Sequence, residues 1–200
     1  HWNTFAAGSG GIWNAGLSLG SAGQAVKVNA AGNALEFGAV AGGKIGQVIQ
    51  TIKTDAFSTS SGINGSNWVA VTGLSAQITP SATTSKVLVM PSYSLSGSNR
   101  SYSALFIGGS MSAFIGDAIG SATRQTSGYY QGTLHATHMT SFNYLHSPNS
   151  TSQQTYQIYI CNNGNDGASV SYINRHNSSS GSSSSDETSA SSFTLMEVLA

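Results

Sequence analysis

The stretch that decides the fold is Lys86-Val87-Leu88-Val89-Met90, in which four of the five side chains are apolar. Side chains alternate between the two faces of an extended strand. A run that is apolar on both faces therefore predicts a central strand covered on both sides. Pro91 follows directly, so we expect the strand to end or bulge there and to resume at Tyr93 and Leu95.

Shorter alternating runs flank this strand on both sides. They lie at residues 48–54, 68–72, 74–79, 102–107, 111–115, 133–144, 156–160, 168–173 and 193–199. No helical period is sustained for three turns, and the helix-favouring residues Lys, Glu and Leu are scarce. The pattern predicts an all-β fold in which residues 44–200 form an antiparallel β-sandwich, jelly-roll-like, as a head domain. The expected inward set is Val69, Val71, Ile78, Val87, Val89, Leu105, Ile158, Ile160 and Leu195.

The composition excludes several classes of function. Charged residues make up 7% of the chain and the formal net charge is zero, against about 25% charged residues in an average soluble domain. Nothing in such a chain attracts a phosphate backbone over long range, so we expect no nucleic-acid partner. No apolar run is long enough to span a bilayer as a helix, so we expect no membrane insertion.

Residues 1–43 form a distinct Gly- and Ala-rich segment, a shaft or connector with very short alternating runs at 17–19, 25–28 and 35–37. A hairpin of this size is marginal in water by itself. In a homotrimer, however, three copies of Val26, Val28, Leu35 and Phe37 would build a shared shaft core. The alternative is a flexible linker, but regularly placed apolar residues favour the shaft. The chain begins at His1 without Met, so we expect it to be part of a longer polypeptide.

Four segments carry a resemblance to a known family. They are GQAVKVNAAGNALEFG (residues 23–38), KIGQVIQTIKTDAFSTS (44–60), VTGLSAQITPSATTSKVLVM (71–90) and FTLMEVLA (193–200). They resemble the C-terminal, receptor-binding parts of tail-fibre proteins of tailed bacteriophages. The resemblance implies a homotrimer on the exterior of a virion, joined to other virion proteins on its N-terminal side, with a distal head that contacts the host. The alternative is a capsid decoration or head-fibre protein without a receptor role.

Residues with the chemistry for catalysis or metal binding are sparse. The seven acidic residues are dispersed, so we expect no enzymatic activity of the depolymerase or any other kind, and no cofactor. His135 and His138 are three residues apart, which places their rings on opposite faces of a regular strand. Asp166 lies in a segment typical of a hairpin turn and lacks the repeated acidic ligands of a Ca²⁺ loop. We therefore predict no metal site.

Polar and aromatic loop residues are the best candidates for contact with a host-surface glycan. Ring faces cover the apolar C–H groups of a sugar, amides bind its hydroxyls, and a guanidinium binds an anionic group through two hydrogen bonds. Loops at the end of a rigid sandwich are where such groups normally lie, and three heads on one shaft would add avidity. The predicted binding residues are Asn99, Arg100, Tyr129, Tyr130, Asn162, Asn163, Asn165, Asp166, Arg175 and His176.

Overall fold

The computed structural model describes residues 20–39, 44–61, 67–130, 136–163, 169–179, 181–182, 184 and 186–200. Within those residues the chain is all-β, as the sequence predicts, with fourteen strands and no helix. The backbone divides into two compact units, residues 1–43 and residues 44–200.

The described part of the first unit is a hairpin of β1 (Gln24–Val28) and β2 (Leu35–Ala39). Its register places Val26 opposite Phe37 and Val28 opposite Leu35, so these four apolar side chains share one face. Val26 and Val28 are 40% and 61% exposed in the single chain. The hairpin thus presents an apolar face that it does not bury itself. The run at 17–19 lies outside the described residues, and the trimeric shaft stays a prediction.

The second unit contains a seven-stranded antiparallel sheet centred on β6 (Lys86–Gly97). On one side of β6 lie β14 and β13, followed by β3 and β4, and on its other side lie β11 and β10. The bounds of these strands are Ile45–Lys53 for β3, Phe57–Thr59 for β4, His138–Ser141 for β10, Tyr144–His146 for β11, Ser171–Ile173 for β13 and Ser191–Val198 for β14.

A five-stranded antiparallel sheet forms the other layer, in the order β5, β12, β7, with β8 and β9 both paired to β7. Its strands are Val69–Ile78 for β5, Arg100–Ile107 for β7, Ser110–Met111 for β8, Ser127–Tyr130 for β9 and Gln154–Asn162 for β12. One sheet has the order β3, β14, β6 and then β11, and the other has the order β5, β12, β7 and then β9. This is the strand order of a jelly roll.

The core between the sheets confirms the predicted inward set with one exception. Eight of the nine predicted residues are at most 2% exposed, whereas Val69 is half-buried at the start of β5. Tyr93, Tyr156 and Phe193 are also fully buried and complete the core. The phenol of Tyr93 shares a hydrogen bond of 2.7 Å with the hydroxyl of Ser103, which satisfies its buried oxygen.

Several predicted strand boundaries are wrong, each for a local reason. Pro91 does not end or bulge β6, which continues to Gly97. The neighbouring ladder is interrupted between Ser141 and Tyr144, beside Pro91, so a residue without an N–H is tolerated in mid-strand. The runs at 68–72 and 74–79 form the single strand β5, bulged around Gly73, whose φ of 81° suits glycine.

Candidate binding site

The most exposed aromatic–cation pair of the sandwich lies at one end of the five-stranded sheet. Arg100 opens β7 and is paired with Tyr130, the last residue of β9. The guanidinium carbon of Arg100 lies 5.3 Å from the centre of the Tyr130 ring, within the range of a cation–π contact. Tyr130 is 66% exposed, so the ring remains available to a ligand.

A cavity of about 400 Å³ opens beside this pair. Its lining consists of Arg100, Tyr102, Ala122, Thr123, Gln125, Gly128, Tyr129 and Tyr130. Glycine at 128 is what lets Gln125 approach the strand, because a Cβ at that position would lie 2.7 Å from the side-chain amide. The Oε1 atom of Gln125 is buried and accepts no hydrogen bond from any described residue. The wall therefore contains an acceptor that its own surroundings leave unsatisfied.

The segment that carries Gln125 is held in place by hydrogen bonds at both ends. The Thr126 amide donates to the Ser103 carbonyl at 3.0 Å, and the Thr126 hydroxyl donates to the Phe114 carbonyl at 2.7 Å. Nε of Arg124 donates to the Gly116 carbonyl at 2.7 Å. These bonds fix one wall of the cavity against β7, so the site is formed before a ligand arrives.

The site is aromatic and polar, with Arg100 its one charge among the lining residues. The Tyr129 hydroxyl donates to the Ala136 carbonyl at 3.4 Å. Partial burial raises the pKa of Tyr129, so the phenol stays neutral and remains a donor across the physiological range. Such a set suits a neutral or mono-anionic polar ligand, and it contains no carboxylate to act as a general acid or base.

Five of the predicted binding residues gather at this end of the sheet. Asn99 accepts a hydrogen bond from the Arg100 amide through Oδ1 at 2.8 Å. The Asn163 amide donates to the Arg100 carbonyl at 3.1 Å. Tyr129 and Tyr130 complete the group, although they lie in strand β9 and not in the predicted loop. The structure thus brings together residues that lie up to 64 positions apart in the sequence, from Asn99 to Asn163.

Two predicted residues are wrong as surface contacts because both are buried. Asn162 is 2% exposed, and its side-chain amide donates to the Ser169 carbonyl at 2.8 Å. His176 is 0% exposed, and its Nδ1 accepts from the Ser178 amide at 3.0 Å. The side-chain amide of Asn162 and Nδ1 of His176 each satisfy a neighbouring backbone group.

The remaining predicted residues lie elsewhere. Arg175 follows β13 in the other sheet, where its guanidinium carbon lies 4.6 Å from the centre of the Tyr172 ring. Asn165 and Asp166 lie outside the described residues. Gln125, Thr123 and Ala122 were missed by sequence reasoning, because nothing in their spacing marks them as a wall. The sequence does contain one signal, which is Gly128 before the Tyr129-Tyr130 pair. Because glycine has no side chain, Gln125 can contact the strand at that position.

A second cavity, of about 370 Å³, is lined by Thr137, Asp186, Glu187, Thr188 and Ser189. Its carboxylate Asp186 is already engaged, since Oδ2 accepts from the amides of Gly181 and Ser182 at 2.7 and 3.0 Å. Among the described residues no group of three or more His, Cys, Asp or Glu is placed to bind a metal ion. No helix in that part of the chain is long and apolar enough to cross a membrane.

Comparisons with known proteins give only remote matches. No family model matches the chain, and no curated protein does. Two similar solved structures both come from viral particles. One is a chain of infectious bursal disease virus, Gx strain, at 16% identity and a TM-score of 0.38, covering 88% of this chain and 41% of that one. The other is VP2 of the same virus in a subviral particle, at 13% identity and a TM-score of 0.32, covering 88% and 43%.

The present chain therefore spans about two fifths of the length of each solved chain. At these TM-scores the likeness carries no functional argument, and the proposals below rest on the chain's own residues.

Proposed function

We propose that the protein is a structural virion component, a homotrimeric tail fibre whose β-sandwich contacts a glycan on the host-cell surface. The observation that carries this proposal is the Arg100–Tyr130 pair beside a pre-formed cavity of about 400 Å³. The resemblance of residues 23–38, 44–60, 71–90 and 193–200 to phage tail-fibre proteins supports the same reading.

The chemistry of the cavity favours a sugar over other ligands. The exposed face of Tyr130 suits the apolar C–H face of a pyranose, and Gln125 in the wall supplies a neutral acceptor. Arg100 adds one guanidinium that would bind a carboxylate or hydroxyl pair of the ligand. Each such site binds weakly, so three copies on one fibre would supply avidity.

The first prediction concerns Tyr130. A Tyr130→Ala variant removes the ring platform without touching the core, because that ring is 66% exposed. We expect binding of the purified protein to host cells to fall about tenfold or more, equivalent to about 1.4 kcal/mol. The measurement is cell-bound fluorescence of labelled protein over a concentration series. The thermal midpoint should stay within about 2 °C of the parent, as for a surface substitution.

The chain offers a matched control in Arg175 and Tyr172, a second stacked arginine–tyrosine pair on the other sheet. Tyr172→Phe keeps the ring over which Arg175 stacks and should leave cell binding unchanged. Folded Tyr130→Ala protein that binds as well as the parent would remove this site from the proposal. Parent protein that binds no candidate host cell, with labelled protein found over the head of intact virions, would favour a capsid decoration role instead.

A second prediction concerns assembly. The apolar face of the hairpin, with Val28 61% exposed, requires a partner surface. We expect light scattering of the purified chain to give about three times the monomer mass of 20.5 kDa, since a C₃ ring closes on itself. A monodisperse monomer in which the hairpin is nevertheless ordered would contradict the trimer.

A further inference from the structure

The outer face of the seven-stranded sheet carries a continuous apolar row. The register places Val48 of β3 opposite Met196 of β14, Met196 opposite Leu88 of β6, and Leu88 opposite Leu145 of β11. Residues directly opposite each other in antiparallel strands point to the same face. The four side chains therefore form one row across four strands, which we call the outer apolar row.

This row lies on the side of the sheet away from the core. The residues next to it in the chain, Val87, Val89 and Leu195, are fully buried between the sheets. Val48 and Leu145, at the two ends of the row, are 54% and 47% exposed. The first part of β6, residues 87–90, is thus apolar on both faces, while the described residues of the sandwich cover only one of them. Strands of this pattern are normally covered on both faces.

The outer face extends beyond the row with further apolar side chains. Met90 is partly exposed in the next row, opposite Thr194, and Ile52 and Met139 are 64% and 55% exposed in the two rows beyond it, among serine side chains. Four strands about 4.8 Å apart and seven residues of about 3.3 Å each give a face of roughly 450 Å² in projection. That is the larger part of the about 800 Å² that each partner buries in a standard stable interface.

Charge argues for a second copy as the occupant. Among the outward-facing residues of β3, β6, β10, β11 and β14, the only charged side chain is Lys86, at one end of the face. Two such faces do not repel each other. An anionic membrane, by contrast, is bound through clusters of several Lys or Arg, each worth about 1 kcal/mol. Three copies of the row can meet around the threefold axis of the proposed homotrimer, so the contact closes on itself.

We propose that the outer apolar row is a contact surface between copies of this chain. The proposal rests on the homotrimer proposed above in one respect. A shaft would hold the copies at a high effective concentration, at which a face of this size is large enough to keep them in contact. It adds a contact in residues 44–200 to the one expected in the hairpin, and it predicts that these residues help to hold the assembly together.

The test is the double variant Val48→Lys with Leu145→Lys in the full chain. Both side chains are about half exposed, so lysine is tolerated in an isolated subunit but places like charges in the contact. We expect the dissociation constant from sedimentation equilibrium to rise at least tenfold. If the parent is too tight to measure, the urea concentration that halves its mass should fall instead. Val48→Ser with Leu145→Ser is the milder version, should the charged one not fold.

Two controls separate this contact from the shaft. Ile119→Lys changes an equally apolar residue, 76% exposed, outside the face, and should leave the constant within twofold of the parent. Val28→Lys tests the hairpin. Weakening by Val48→Lys/Leu145→Lys but not by Val28→Lys supports the row and contradicts the shaft, and the reverse result overturns the row. A monomeric parent overturns it as well. So does parent binding to phosphatidylcholine vesicles that the double variant loses, since the row would then contact lipid.

Discussion

Leu195→Ala is expected to lower the free energy of unfolding by about 2–5 kcal/mol, the range for truncating a fully buried leucine. Leu195 is 0% exposed in β14, between Ile49 of β3 and Val89 of β6. Alanine would leave a cavity in the core beside β14, which pairs with β3 on one side and β6 on the other. The side chains around that cavity are closely packed and have little freedom to fill it. A chain of this size should lose about 10 °C in thermal midpoint.

The measurement is urea unfolding followed by tryptophan fluorescence, with the thermal midpoint from far-UV circular dichroism. Ile119→Ala is the matched control, because that side chain is 76% exposed and its truncation should change stability by at most about 0.5 kcal/mol. Equal stability of Leu195→Ala and Ile119→Ala would contradict the placement of β14 in the core.

The second large effect is expected at Glu197, a carboxylate that is 1% exposed. Its Oε1 accepts from both the amide and the hydroxyl of Ser81 at 2.6 Å, and its Oε2 accepts from Nε2 of Gln47 at 2.9 Å. Burial by itself raises the pKa of Glu197, but the hydrogen bonds from Ser81, Ser85 and Gln47 outweigh it and lower the pKa from 4.5 to about 2.

The sign of the pH effect follows from this depressed pKa. The folded state prefers the charged carboxylate, so the stabilisation is complete above the unfolded pKa of 4.5 and is lost as the pH falls towards 2. We expect the thermal midpoint of the parent to fall steadily between about pH 5 and pH 2. Asp55, whose pKa is lowered chiefly by its hydrogen bond from Lys53, acts in the same direction, so the comparison must be with a variant.

Glu197→Gln supplies that comparison. Its amide nitrogen would face Nε2 of Gln47, which cannot turn away without losing its bond of 2.6 Å to the Thr79 carbonyl. We expect a loss of about 1–3 kcal/mol at pH 7, the cost of an unsatisfied buried group, and a flatter pH profile. Glu187→Gln, an exposed glutamate, should reproduce the parent profile. A Glu197→Gln profile that is as steep as the parent's would refute the role of this carboxylate.

The core strands were predictable because alternation is a local signal that burial then enforces. Val87, Val89, Ile158 and Ile160 occupy strict period-two positions in the sequence, and all four are fully buried. Pro91 is paired with Phe193 of β14 on one side, and it misled the prediction because its missing N–H matters only if a strand also stands opposite it on the other side. Whether one does depends on where β10 ends and β11 begins, which no local pattern near Pro91 records.

The candidate site was predictable only in part, for a similar reason. Arg100 and Tyr130 were identified by residue type, yet their contact arises from β9, a four-residue edge strand that has no alternation of its own. Asn162 and His176 were wrongly predicted to be exposed. A polar residue in a Ser- and Gly-rich segment can either lie on the surface or hydrogen-bond to buried backbone, and the sequence does not distinguish the two. Only the tertiary structure shows that Asn162 turns inward to the Ser169 carbonyl.

The position of β14 has a consequence for how the protein is made. The strand inserts between β3 and β6, although β3 begins at Ile45 and β14 ends at Val198. The central sheet therefore cannot be completed until almost the whole sandwich has left the ribosome, and folding waits on contacts between distant parts of the chain. Until then β3 and β6 have unpaired edges, which are open to other nascent chains. Translation of neighbouring copies on one messenger would thus favour either correct assembly or aggregation, depending on how quickly Ser191–Val198 docks.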